Sequence, residues 1–192
     1  MERPNKTTEN ITFKDVESQL LNAGIDTSTW GTGSAKTIEH LYNEMKDGES
    51  KLVTDAENGL LKITSVVGAT IYYESPSGDK YRLKEDKQIF SDGRERIRPS
   101  DSQSVFEKMQ FDEDPTEAMK RGLQEELGIK DDTRIVETET NKKIQESASY
   151  PGLLSETTFH FFDVYINDDQ FEPDGYTEEQ ARLTTYFIWE KL

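Results

Sequence analysis

One helix with its start and its buried face written into the sequence constrains this chain more than any other feature. Asp114 can cap a helix, Pro115 suits a first turn that needs no amide donor there, and Glu117 stands where it would complete a capping box. Met119, Leu123 and Leu127 follow at i, i+4 and i+8, an apolar stripe that has to cover a surface. On either side of this helix, predicted from Pro115 to about Leu127, the period changes. Leu61, Ile63, Val66, Val67, Ile71 and Tyr73 make a β-rich run that breaks at the turn residues Pro76 to Asp79, and Tyr81 and Leu83 mark a returning strand. Further strands are expected near Ile135 to Ile144, Thr157 to Ile166 and Thr184 to Trp189. Strands, one helix and strands again predict an α+β fold built on a mixed β-sheet, not a doubly wound parallel sheet. The polar stretch Asp86 to Ser104, with its Asp92-Gly93 pair, reads as a long loop or a distorted hairpin.

Ahead of the sheet the spacing is helical. Phe13, Val16, Leu20 and Leu21 predict one helix stopped at Gly24, and Ile38, Leu41, Tyr42 and Met45 predict a second ended by Gly48. Residues 1–50 are therefore expected to form an N-terminal helical hairpin that packs on a main domain of residues 51–192. Hydrophobic residues make up only 32% of the chain, so the core should be modest. Nine Phe, eight Tyr and two Trp nevertheless argue against a disordered chain.

Charge narrows the partners. With 39 acidic and 23 basic residues the formal net charge is −16, which disfavours nucleic acid and anionic membrane surfaces as partners. A small phosphorylated ligand is compatible, because a metal ion or a local arginine cluster overrides the global field. The chain has no cysteine, so thiolate chemistry and Cys-type zinc sites are excluded, and His40 and His160 are too few for a histidine-rich metal site. Nothing approaches the roughly 18 apolar residues of a membrane span, and the polar start has no apolar signal core. A soluble cytoplasmic protein is expected.

Chemistry concentrates on the helix. Gly122, Glu125 and Glu126 lie on a different face from the apolar stripe, and carboxylates converging on one face are what a divalent cation such as Mg²⁺ needs. Glu107 to Ile129 reads EKMQFDEDPTEAMKRGLQEELGI and resembles the box of the Nudix family. That box is a glycine, five residues, a glutamate, seven residues, then R-E-U-x-E-E-x-G-U with U apolar. Glu113, Arg121, Leu123, Glu125, Glu126, Gly128 and Ile129 occupy their places in it. The resemblance, which reaches over roughly Leu60 to Leu192, implies a Nudix-like fold. It makes Glu125 and Glu126 the metal-ligating and catalytic carboxylates, with Mg²⁺ or Mn²⁺ as cofactor. Arg121 either orients these carboxylates and joins ligand binding, or makes an ordinary helix-surface ion pair with Glu125.

Two positions depart from the box. Glu107 stands for its glycine, and Gly122 for the glutamate after the arginine, which is central to catalysis in the family. A glycine inside a helix costs about 1 kcal/mol relative to alanine. Close packing is therefore expected at Gly122 in place of metal binding.

Arg94, Arg96 and Arg98 alternate, so an extended backbone would point all three to one side, where they suit phosphate recognition or balance acidic neighbours. Tyr150, beside Pro151-Gly152, and Trp30 are either ring-stacking residues for a ligand or packed aromatics. The expected function is binding of a phosphorylated small molecule or nucleotide with weak or no hydrolysis, because of Gly122. The alternative is an active Mg²⁺-dependent hydrolase that cleaves a nucleoside diphosphate linked to another moiety.

Overall fold

The computed structural model describes residues 11–97, 104–130 and 133–192. Its first two helices begin as the sequence predicts. Helix α1 (Phe13–Asn22) is capped by Thr12, whose hydroxyl accepts from the Asp15 amide while the Asp15 carboxylate accepts from the Thr12 amide at 2.8 Å. Helix α2 (Ile38–Lys46) is capped by Thr37 in the same reciprocal way, with His40 Nδ1 taking the amide of Thr37. Among the described residues there are three helices, and none is long and apolar enough to cross a membrane.

The chain divides into two units. The first takes the described part of Met1–Ser65 with Lys108–Asp112 and Asn141–Thr158. It contains α1, α2, strand β1 (Ser50–Asp55) and the opening of strand β2 (Gly59–Glu74), paired antiparallel from Ser50 with Thr64 to Asp55 with Gly59. Val16, Leu20, Leu41, Met45, Leu60, Tyr150 and Leu153 form its core together with Trp30. Trp30 and Tyr150 meet at 5.0 Å between ring centroids, and Trp30 Nε1 donates to the Pro151 carbonyl at 2.9 Å. Of the two roles the sequence left open for these rings, the structure shows packing against one another.

The second unit holds the remaining described residues, Val66–Glu107, Glu113–Thr140 and Phe159–Leu192. Here β2 continues, turns through Ser75–Asp79 and pairs antiparallel with β3 (Lys80–Phe90). The remaining strands of the described chain, of which β5, β6 and β7 are only partly in this unit, are β4 (Glu95–Arg96), β5 (Val105–Lys108), β6 (Arg134–Glu146), β7 (Leu154–Ile166), β8 (Tyr176–Glu179) and β9 (Leu183–Lys191). Helix α3 (Pro115–Leu127) lies between β5 and β6 in the chain. Strand order is β6-β7-β2-β3-β9-β8, with β5 on β2 and β4 on β3. A mixed sheet with three helices makes the fold α+β, as expected.

The stretch Asp86 to Ser104 resolves into the distorted-hairpin alternative as far as it is described. β3 runs on to Phe90, bulges between Glu85 and Lys87 against β9, and turns back so that Gln88 pairs with Arg96. In this unit Tyr73 stacks on Phe171 at 3.8 Å and its hydroxyl donates to Asp168 at 2.9 Å.

Candidate functional site

Helix α3 forms where the sequence places it. Asp114 accepts from the Thr116 and Glu117 amides, Pro115 occupies the first turn, and Gly128 ends the helix in the left-handed region at φ 68°. Glu117 turns to the Lys120 ammonium at 2.6 Å. Met119 is fully buried, Leu123 all but fully and Leu127 largely, so the apolar stripe faces inward as expected.

Gly122 is buried as well. A Cβ at this position would lie 3.0 Å from Glu107 Cβ, 3.3 Å from Glu107 Cγ and 3.7 Å from Met119 Cε. The expectation of close packing at Gly122 acquires a named partner, the side chain of Glu107.

Glu107 does more than fill space. Its Oε1 accepts from Arg121 Nη1 at 3.0 Å, while Nε and Nη2 of the same guanidinium donate to the two oxygens of Glu113 at 3.0 and 3.1 Å. Glu125 completes the set at 3.5 Å from Nη1. One arginine thus gathers three carboxylates, and the paired Glu113 carboxylate in particular raises its pKa. Bidentate, charge-assisted contacts of this kind fix the plane of a guanidinium.

The two expected metal ligands separate. Glu125 is exposed and turned toward Arg121, whereas Glu126 lines a cavity of about 140 Å³ with Glu85, Gln88, Ser104, Phe106 and Glu178. Among the described residues no group of three His, Asp or Glu side chains is placed to hold a metal ion. The donor set explains why. Gly122 brings no oxygen, and Glu107, Glu113 and Glu125 all face one guanidinium. As placed, these side chains do not fit a Mg²⁺ or Mn²⁺ ion on the acidic face of α3.

The cavity beside Glu126 has a polar floor. Gln88, Ser104, Thr185 and Glu85 are all buried there. Gln88 Nε2 donates to Glu85 and to Thr185 Oγ1, each at 3.3 Å, and Ser104 Oγ donates to the Leu83 carbonyl at 2.6 Å. Arg96 reaches this floor, since its Nε and Nη2 both donate to Gln88 Oε1. Arg94 stays at the turn, paired with Asp92 at 2.8 Å. Both guanidinium groups lie over the Phe90 ring, at 5.2 and 5.5 Å, while Arg98 falls outside the described residues. A wider hollow of about 460 Å³ is lined in part by Lys120, Arg121, Lys130 and Thr133.

Sequence reasoning did not find Glu85, Gln88, Ser104, Glu178 or Thr185. They come from four separated segments, and the bulge in β3 sets which of its side chains face the cavity. Glu107 carried a readable signal, a charged residue where the box that this sequence resembles has glycine.

The sequence matches no family model and no curated protein. Solved structures with similarity to the chain include the Ap4A hydrolase of C. elegans, 15% identical over 67% of this chain and 80% of that one, TM-score 0.38. A second is the Nudix domain of Shewanella oneidensis NrtR, solved with ADP-ribose, at 11% identity over 66% and 71%, TM-score 0.36. A third is the Nudix hydrolase RenU of M. smegmatis, at 15% identity over 71% and 78%, TM-score 0.35. Superpositions this loose assign no residue and no activity.

Proposed function

We propose that this chain is a Nudix-like domain that binds a phosphorylated small molecule or nucleotide and hydrolyses it weakly or not at all. The observation that carries this reading is the state of the box helix. Gly122 is packed under Glu107, and of the two carboxylates that would serve a metal Glu125 is drawn onto Arg121 while Glu126 lines a separate cavity. Metal-assisted phosphoryl chemistry requires oxygens free to hold the ion and activate water. Binding asks less. The cavity beside Glu126 offers an amide, hydroxyl groups and the Phe106 ring to the uncharged part of a ligand, and Arg96, held on Gln88 at its floor, is the cation for phosphate, with Arg94 beside it over the Phe90 ring.

A second reading, an active Mg²⁺-dependent hydrolase of a nucleoside diphosphate linked to another moiety, draws on one specific observation. Glu126 shares its cavity with Glu85 and Glu178, an acidic set that lies partly outside the box. A panel of nucleoside diphosphate conjugates, with and without Mg²⁺ or Mn²⁺, separates the two. The binding reading expects at least one compound to raise the unfolding midpoint with no product release, since a ligand at 100 times its Kd adds about 2.7 kcal/mol. Turnover that disappears in both Glu125→Gln and Glu126→Gln establishes the hydrolase instead.

A further inference from the structure

We infer that the two departures from the box are a single exchange, in which Glu107 delivers from β5 the carboxylate that α3 lacks at Gly122, and so positions Arg121. The inference rests on the alignment with the box and on packing, and it does not depend on the ligand proposed above.

The geometry is reciprocal. A side chain at 122 and the side chain at 107 compete for one volume, because the Cβ of the first would fall 3.0 Å from the Cβ of the second. Neither partner can give way at its far end, since both contacts are to the root of the Glu107 chain, which its own strand holds. The box pattern has its glycine at 107 and its glutamate at 122, so it too carries a side chain at only one of the two competing positions. This chain fills that volume from the strand.

Charge follows volume. Glu113 holds Nε and Nη2 of Arg121, and Glu107 holds Nη1 at 3.0 Å. Glu125 lies farther from the same atom, at 3.5 Å, with a side chain 60% exposed. Glu107 therefore has first claim on Nη1. Losing its charge would release that edge of the guanidinium toward Glu125 or solvent. Glu107 is in this sense a positioning residue for Arg121 and, through it, for the acidic end of the helix.

The test is a double-mutant cycle on the full chain, read by thermal unfolding, with Gly122→Ala and Glu107→Gly made singly and together. Alanine is the better helix former. In the wild-type background it should nevertheless lower the midpoint, because it meets Glu107. In the Glu107→Gly background the same change should raise it, and the two effects should differ by about 3 °C or more. The exchange of Gly122→Glu with Glu107→Gly should likewise unfold at least about 3 °C above Gly122→Glu alone. Equal effects of alanine in both backgrounds would overturn the exchange. The positioning role has its own readout, hydrogen exchange of the Arg121 guanidinium by NMR in Glu107→Gln, which keeps the volume and removes the charge. Exchange at least threefold faster than in wild type is expected, and an unchanged rate would reduce Glu107 to a space filler. Neither readout involves a ligand, so the phosphorylated-ligand reading stands or falls separately.

Discussion

The two units each contain one charge surrounded by three opposite ones, and the difference between them lies in burial. In the first, the Glu44 carboxylate meets the ammonium groups of Lys36 at 2.6 Å, Lys62 at 3.3 Å and Lys108 at 2.9 Å. In the second, the Arg121 guanidinium meets Glu107, Glu113 and Glu125. The Glu44 and Lys62 side chains are each 8% exposed, whereas Arg121 is 28% exposed and Glu125 60%. Burial pushes the Glu44 pKa upward, yet the three ammonium groups outweigh it and hold that carboxyl at about 2. A cluster of the first kind is costly to break, because removing one member strands a buried charge. A cluster of the second kind orients its members while water screens part of their attraction.

The largest expected effect is on the buried side of this comparison. Glu44→Gln should cost about 3–5 kcal/mol by chemical denaturation, since it leaves Lys62 buried without its carboxylate. A loss below about 1 kcal/mol would put the network on a par with surface pairs. Its pH dependence has a definite sign. With a folded pKa depressed to about 2 against an ordinary 4.5, the Glu44 contribution is complete above the ordinary value and drains away as pH falls toward 2. The gap between wild type and Glu44→Gln should therefore close over that interval. A gap that stays constant from pH 5 to pH 2 would show that the carboxylate is not the source.

Next comes Leu123→Ala, expected to cost about 2–4 kcal/mol because the side chain is almost fully buried beneath α3. A change within error would mean that the stripe does not seal this unit. Arg121→Ala should cost less, about 1–2 kcal/mol, and Arg121→Lys should recover only part of it, since a point charge cannot reproduce the fork held by Glu113. A loss equal to that of Glu44→Gln would erase the contrast between the clusters. The smallest structural effect belongs to Arg94, whose pairing with Asp92 is exposed. Arg94→Ala should move stability by no more than about 0.5 kcal/mol. Arg96 touches the cavity floor through Gln88, and Arg96→Ala should weaken any phosphorylated ligand roughly tenfold, a difference of about 1.4 kcal/mol. Equal affinities for wild type and Arg96→Ala would assign that arginine to the hairpin alone.

The same contrast explains what was legible in the sequence. Helix α3 was readable nearly to the residue because its cap, first proline and apolar stripe are local signals. Helices α1 and α2 announced themselves in the same way. Strands β1, β5 and β8 did not. They are four to six residues long and alternate weakly between buried and exposed positions; pairing makes them strands, β1 and β8 with the strand that follows each and β5 with the distant β2. The site divided along the same line. Arg121, Glu113 and Glu125 sit at helix and cap spacing, so their association follows from local geometry. The cavity that Glu126 shares with Glu85 and Glu178 depends on sheet register and on one bulge, neither of which a period reveals. Glu44 could have been noticed, because it stands on the buried face of α2 beside Leu41 and Met45, where a carboxylate needs a reason to be.

The central claim is that Glu107, Glu113 and Glu125 serve Arg121 and that the described residues around α3 leave no ready seat for a divalent cation. A calorimetric titration of the wild-type chain with Mg²⁺ at low ionic strength tests it most directly. No stoichiometric binding tighter than about 10⁻⁴ M is expected, because one or two loosely placed carboxylates make a poor cage for that ion. A saturating one-to-one isotherm in the micromolar range, abolished by Glu125→Gln, would contradict the account.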